Sequence, residues 1–191
     1  MKNTSGFTMI EVLVAMMIVS VGLLGIAGLV LESRKNIIEV QQRSIAINLA
    51  DDLLARMAAN VDGLGSYTAN LNAVPAQPGT VCHQAGSNCT AQQTAAFDLW
   101  QWGTSVFAGA IQREDATSTG GLISPRACID INNSDVTLTL VWRGRFPRPD
   151  SRPPDALVPA EPGNCGTGIA SYRSIADNDL RRVMVMNTTI N

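Results

Sequence analysis

Gly6-Phe7-Thr8-Met9-Ile10-Glu11-Val12-Leu13-Val14-Ala15-Met16-Met17-Ile18-Val19-Ser20, continuing apolar to Leu31, is the stretch on which the reading of this chain turns. From Val12 to Leu31 there is no charged residue, and the only hydroxyl is Ser20. Twenty helical residues rising ~1.5 Å each span roughly 30 Å, the hydrocarbon thickness of a bilayer. One carboxylate, Glu11, stands just inside the front of that span. A lone acid there costs ~2.5–3.5 kcal/mol on insertion scales, so something has to offset it.

The residues ahead of the span are not those of an ordinary secretory signal, whose small-residue cleavage site follows its apolar core. Here Met1-Lys2-Asn3-Thr4-Ser5-Gly6 is short, polar and basic, and the glycine precedes the core. The string Gly6–Glu11 resembles the prepilin leader of the type IV pilin superfamily, which includes bacterial pilins and pseudopilins. That resemblance implies cleavage between Gly6 and Phe7 by a prepilin peptidase and N-methylation of Phe7. It also implies retention of the apolar helix and an assembly role for Glu11, the fifth residue of the mature chain. The physics of the acid agrees with assembly. Two charges that are each costly in hydrocarbon become tolerable as a pair, so Glu11 can face the new amino terminus of a neighbour's Phe7. The plainer alternative is a signal anchor with Glu11 at the membrane interface. Where many major pilins carry a proline, this chain has Gly28, preceded by Gly22 and Gly25. Each glycine weakens a helix by ~0.8–1 kcal/mol relative to alanine, giving a soft segment, or small residues that admit close helix packing.

At 191 residues, a leader and a membrane helix leave chain for one modest domain. A formal charge of −2 argues against a general nucleic-acid or membrane-surface binder. Lys2 before the span and Arg34 and Lys35 after it leave the positive-inside count equivocal. The leader resemblance places the amino terminus in the cytoplasm and the domain outside, in the periplasm. The four cysteines, Cys82, Cys89, Cys128 and Cys165, read in an exported domain as two disulfides with three possible connectivities. A local Cys82–Cys89 clip and a long-range Cys128–Cys165 staple are favoured. Loop entropy assigns them about 2.5 and about 3.9 kcal/mol. His83 beside Cys82 suggests a metal site, but C-x-x-C spacing and a second histidine are missing.

Beyond the span, Ala46, Leu49, Ala50, Leu53, Leu54 and Met57 recur at three- and four-residue spacing, so the helix is expected to continue to about Asn60. Glu39 and Arg43, four apart, support it, and Asp62-Gly63-Leu64-Gly65 reads as its end. Residues 65–92 read as polar turns. Thr90-Ala91-Gln92-Gln93 has the form of a capping box opening a second helix. Phe97, Trp100, Thr104, Phe107 and Ile111 are expected on its core face, with a binding platform as the alternative, and Gly120-Gly121 as its end. Ala127–Ile131 and Val136–Trp142 read as a hairpin around Asn132-Asn133-Ser134-Asp135. Oxygens on Asp130, Asn132 and Asp135 suggest calcium, but the EF-hand spacing, glycine and glutamate are missing. Pro147, Pro149, Pro153, Pro154, Pro159 and Pro162 make residues 144–168 a long surface loop. Arg143, Arg145, Arg148 and Arg152, near Trp142 and Phe146, form either a DNA- or surface-binding patch or an ordinary solvated loop. Arg181–Ile190 supplies the last strand.

Asp98-Leu99-Trp100-Gln101-Trp102, Val141-Trp142-Arg143-Gly144, Cys165-Gly166 and the run from Arg181 to Thr188 resemble PilV-type minor pilins. The expected fold is α+β: a long amino-terminal helix packed on a small antiparallel sheet, with a second helix and a disulfide-stapled loop. The expected divisions are a cleaved leader 1–6, an assembly helix 7–31, its amphipathic continuation 32–60, and a periplasmic domain 61–191. No phosphate loop, zinc spacing or nucleophile–base arrangement appears, so no catalytic residue, metal or cofactor is assigned. The resemblance implies a non-catalytic subunit that primes pilus assembly with other minor pilins and the major pilin, at the tip and beneath an adhesin. The alternatives are a type II secretion pseudopilin and, from another class, a ligand- or DNA-binding tip module.

Overall fold

A computed structural model describes residues 6, 8–83, 87–107, 121–150 and 164–191, and only the backbone of Lys35. Residues 1–5, Phe7, Ile111, Gly120, Arg152, Pro153, Pro154, Pro159 and Pro162 lie outside the described residues. Two compact units divide the chain, Met1–Val40 and Gln41–Asn191.

Helix α1 runs from Met9 to Ala59, with Glu11 in its first turn and Arg56 in its last, each at the end the helix dipole favours. Within the second unit it buries Gln42, Ala46, Ala50, Leu53 and Met57, spaced by three and four residues, with Leu49 and Leu54 partly buried beside them. The helix stops at Ala59, where the Asn60 N–H bonds the Met57 carbonyl at 3.0 Å. Its continuation is not the loose terminator read from sequence but a 3-10 helix, Val61–Tyr67. Gly63 makes that turn possible. A Cβ there would sit 2.5 Å from the Ala91 carbonyl oxygen.

The sheet is an antiparallel meander in the order β1-β2-β3-β4, with β1 Ala69–Leu71, β2 Arg126–Asn132, β3 Asp135–Arg143 and β4 Arg181–Thr189. Strand β1 falls where the sequence shows only turns, because three residues are too few to display alternation. Strands β2 and β3 join through Asn133 and Ser134, with Asn133 at φ 56°. Register assigns the faces. Ile129, Leu138 and Met186 lie opposite one another, as do Ala127, Leu140 and Met184, and these enter the main core with α1 and α2. The reverse face carries Cys128, Val141 and Val183, which cluster with Cys165, Ile169 and Tyr172. Strand β3 is therefore buried on both faces from Leu138 to Trp142, more than the half-buried strand its alternation suggests.

Helix α2 spans Ala91–Phe107. Its capping box is made: Gln93 N–H donates to Thr90 Oγ1 at 3.2 Å, and Thr90 N–H to Gln93 Oε1 at 2.9 Å. Its core face differs from the one expected. Ala95, Trp102 and Val106 enter the main core with Leu99 and, as expected, Phe107 packed against it, while Thr104 is exposed and Trp100 only half-buried. Phe97 is buried, but in a side cluster with Trp100 and His83, ring centroids 5.5 and 5.2 Å away.

Candidate assembly helix and its anchorage

Every described side chain from Thr8 to Arg34 is exposed, Met9 at 89% and Leu24 at 73% among them. A single apolar residue at the surface needs no explanation; a continuous apolar helix does. By length and composition α1 can cross a membrane. Ser20 donates its hydroxyl to the Met16 carbonyl and so satisfies itself within the helix. Glu11 has less help. Its position in the first turn gains ~0.3–1 kcal/mol from the helix dipole, short of the ~2.5–3.5 kcal/mol that an acid in hydrocarbon costs. A Cβ placed on Gly6, Gly22, Gly25 or Gly28 would meet nothing within 4 Å. Packing inside this chain therefore does not require glycine at any of them.

The end of α1 is tied to α2 and the 3-10 helix by a polar cluster within the second unit. Arg56 bonds Asp52 at 3.1 Å, Asp98 at 3.3 Å and Gln101 at 2.6 Å. Tyr67 donates its hydroxyl to Asp98 Oδ2 at 2.5 Å, and Asn60 Nδ2 donates to the Tyr67 hydroxyl and to the Ala91 carbonyl. Burial, then the Asp98 hydrogen bond, push the Tyr67 phenol above its ordinary pKa. The Trp102 indole N–H reaches the Leu49 carbonyl at 2.7 Å. Apart from Asp52 and Arg56, four apart on one helix, none of these pairs shows in a single sequence, since each spans dozens of residues or depends on a turn.

Cys82 is joined to Cys89 and Cys128 to Cys165, with Cα separations of 5.8 and 6.0 Å. Cys165 lies under Tyr172, whose phenol burial pushes up to about 12 and which donates to the Ser124 carbonyl at 2.6 Å. Gly166 follows at φ 68°, and a Cβ there would approach the Tyr172 ring at 2.9 Å. His83 is exposed and lies against Phe97. Asp135 accepts from Thr189 Oγ1 at 2.7 Å across the sheet, and among the described residues no group of acidic, histidine or cysteine side chains is arranged to hold a metal. Arg143, Arg145 and Arg148 are exposed; of the two aromatics beside them, Trp142 is buried in the core and Phe146 is half-buried.

The turn after Tyr172 is organised by Asp179, whose carboxylate accepts from the N–H groups of Ser174, Ile175 and Ala176 at 2.7, 2.8 and 3.1 Å. Burial pushes its pKa up, but these donors and that of Leu180 outweigh it and hold the group below its ordinary value. A depressed value means the stabilisation is complete above the unfolded pKa of ~3.9 and is lost as pH falls through the folded one. The urea midpoint of the full chain in detergent is therefore expected to hold down to about pH 5 and to decline below about pH 4. Asp179→Asn should lower the neutral-pH midpoint and flatten that acid limb. An unchanged acid limb in the variant would remove Asp179 from the account.

Two family comparisons bear on these features. The prokaryotic N-terminal methylation motif matches residues 1–27, and the type IV pilin Tt1218 family matches residues 29–100. The chain belongs to the type IV pilin superfamily. No curated protein and no solved structure matches it. The pilin match ends within α2, so strands β2 to β4 lie beyond it. Pilins are structural subunits. A leader with the methylation motif implies processing by a prepilin peptidase, membrane anchoring through the apolar helix, and assembly with other pilins.

Proposed function

We propose that this pilin is a PilV-type minor pilin of a type IV pilus. It is a non-catalytic subunit that works with other minor pilins to prime assembly at the filament tip and so supports adhesion or twitching. The observation that carries the reading is the unpacked apolar helix with Glu11 at its front, a group whose cost its own helix does not offset. In this reading the peptidase cuts between Gly6 and Phe7, Phe7 is N-methylated, and the mature chain waits in the inner membrane. The domain then lies in the periplasm. On extraction into a filament, Glu11 pairs with the amino terminus of a neighbour. The resemblance of Asp98–Trp102 and of the run from Arg181 to Thr188 to PilV-type sequences supports the subtype.

The test is the mass of the amino-terminal peptide in membrane and sheared-filament fractions. N-methylated Phe7 in sheared filaments is the expected result. The same peptide confined to membranes would point to a type II secretion pseudopilin or to a primer too scarce to detect in filaments. A chain still beginning at Met1, in cells with working prepilin peptidase, would reduce the protein to a signal-anchored domain.

A further inference from the structure

Arg181 opens β4 with a fully buried side chain that the assembly reading does not use. Its guanidinium reaches two separate parts of the segment between β3 and β4, Asp150 and Cys165–Thr167. Nη1 donates to the Cys165 carbonyl at 2.7 Å and to Thr167 Oγ1 at 3.1 Å. Nη2 faces Asp150, itself only 12% exposed, at 3.3 Å from Oδ2 and 3.4 Å from Oδ1. A desolvated ion pair adds little net stability over apolar side chains of equal volume. What a guanidinium adds is direction, because its rigid fork fixes the groups it bonds. Here the group it fixes is the Cys165 main chain, whose sulfur is bonded to Cys128 on β2. Cys128 arrives with a local hairpin, whereas Cys165 follows it by 37 residues and has to be brought there.

We propose that Arg181, charge-paired with Asp150, is the positioning residue for the Cys128–Cys165 disulfide. It seats the Cys165 backbone beside β2, directs the pairing of the four cysteines, and protects that bridge from reduction. The oxidation balances with a small-molecule disulfide as acceptor. One cysteine thiolate attacks it and releases a thiol. The second thiolate attacks the resulting mixed disulfide and releases the other thiol. Two protons and two electrons pass from the protein to the acceptor. The Cys82–Cys89 bridge closes over seven residues of local chain and serves as an internal control.

The full chain in detergent micelles is equilibrated across ratios of reduced to oxidised glutathione, trapped by alkylation, and each cysteine pair is quantified by peptide mass. Arg181→Met should shift half-reduction of Cys128–Cys165 by about tenfold toward milder reductant, leaving Cys82–Cys89 where it was. Asp150→Asn should move it the same way by less, and carries the test alone if Arg181→Met does not accumulate. Arg181→Lys, keeping charge but not the fork, should fall between wild type and Arg181→Met. An unmoved Cys128–Cys165 bridge would overturn the proposal. So would an equal shift of both bridges, which marks general loosening rather than positioning.

Discussion

Glu11→Leu is expected to remove this pilin from filaments while leaving its amount in the membrane unchanged. The substitution joins Met9 and Ile10 to the apolar run from Val12 to Leu31 and deletes an acid costing ~2.5–3.5 kcal/mol in hydrocarbon, so anchoring strengthens. The helix loses only the ~0.3–1 kcal/mol that an acid gains in a first turn. In the assembly proposed above, what disappears is a partner for a neighbour's amino-terminal charge. Leaving one member of a desolvated pair alone costs ~3–5 kcal/mol, so incorporation should fall by roughly a hundredfold or more. Glu11→Gln separates charge from size and should fail almost as completely. Glu11→Asp keeps the charge on a shorter stem and should retain part of the incorporation. Comparing sheared and membrane fractions by immunoblot reads all three. Wild-type incorporation of Glu11→Gln would end the charge-pairing account, whatever the leader's fate.

The features legible in the sequence are those that a single element displays by itself. The apolar run to Leu31, the stripe Ala46–Met57 and the Thr90–Gln93 capping box each announce a helix, because spacing of 3.6 residues or a cap is a local property. The β2–β3 hairpin is similarly local. The illegible features depend on what an element meets. Strand β3 is covered on its reverse face by Cys165 and Tyr172, which approach from far along the chain. The 3-10 helix at Val61–Tyr67 needs the Ala91 carbonyl at 2.5 Å from where a Gly63 Cβ would be, a constraint no window of residues contains. At the candidate site, the leader motif stands out in the sequence, as does the lone acid Glu11 against an apolar run, and the role of Glu11 in assembly is the proposal made above. The Arg56–Asp98–Tyr67 cluster could not, since its members come from three elements. Arg181 stands in the sequence only as the first residue of the Arg181–Thr188 run; its burial, which no sequence window shows, is what distinguishes it.

Trp102→Ala should cost the globular unit about 3–5 kcal/mol, against a typical total of about 5–15 kcal/mol. Trp102 is fully buried among Ala46, Ala50 and Leu53 of α1, and its indole N–H donates to the Leu49 carbonyl. Its removal leaves a cavity between two helices whose backbones are held by the capping box and the Arg56 cluster, so collapse into the space is restricted. Trp102→Phe, which loses the hydrogen bond but keeps most of the apolar contact, should cost about a third as much. Trp100, two residues earlier, is half-buried over Phe97 on the flank of α2. Trp100→Ala should cost about 1 kcal/mol. Urea unfolding of the full chain in detergent, followed by circular dichroism, gives all three midpoints. The order of the two tryptophans is the informative result, because the aromatic stripe read from sequence puts Trp100 in the core and leaves Trp102 off it. A larger loss at Trp100 would mean that α2 turns its Phe97–Trp100–Thr104 face inward. The Trp102–Leu49 hydrogen bond would then be lost as the tie between the two helices.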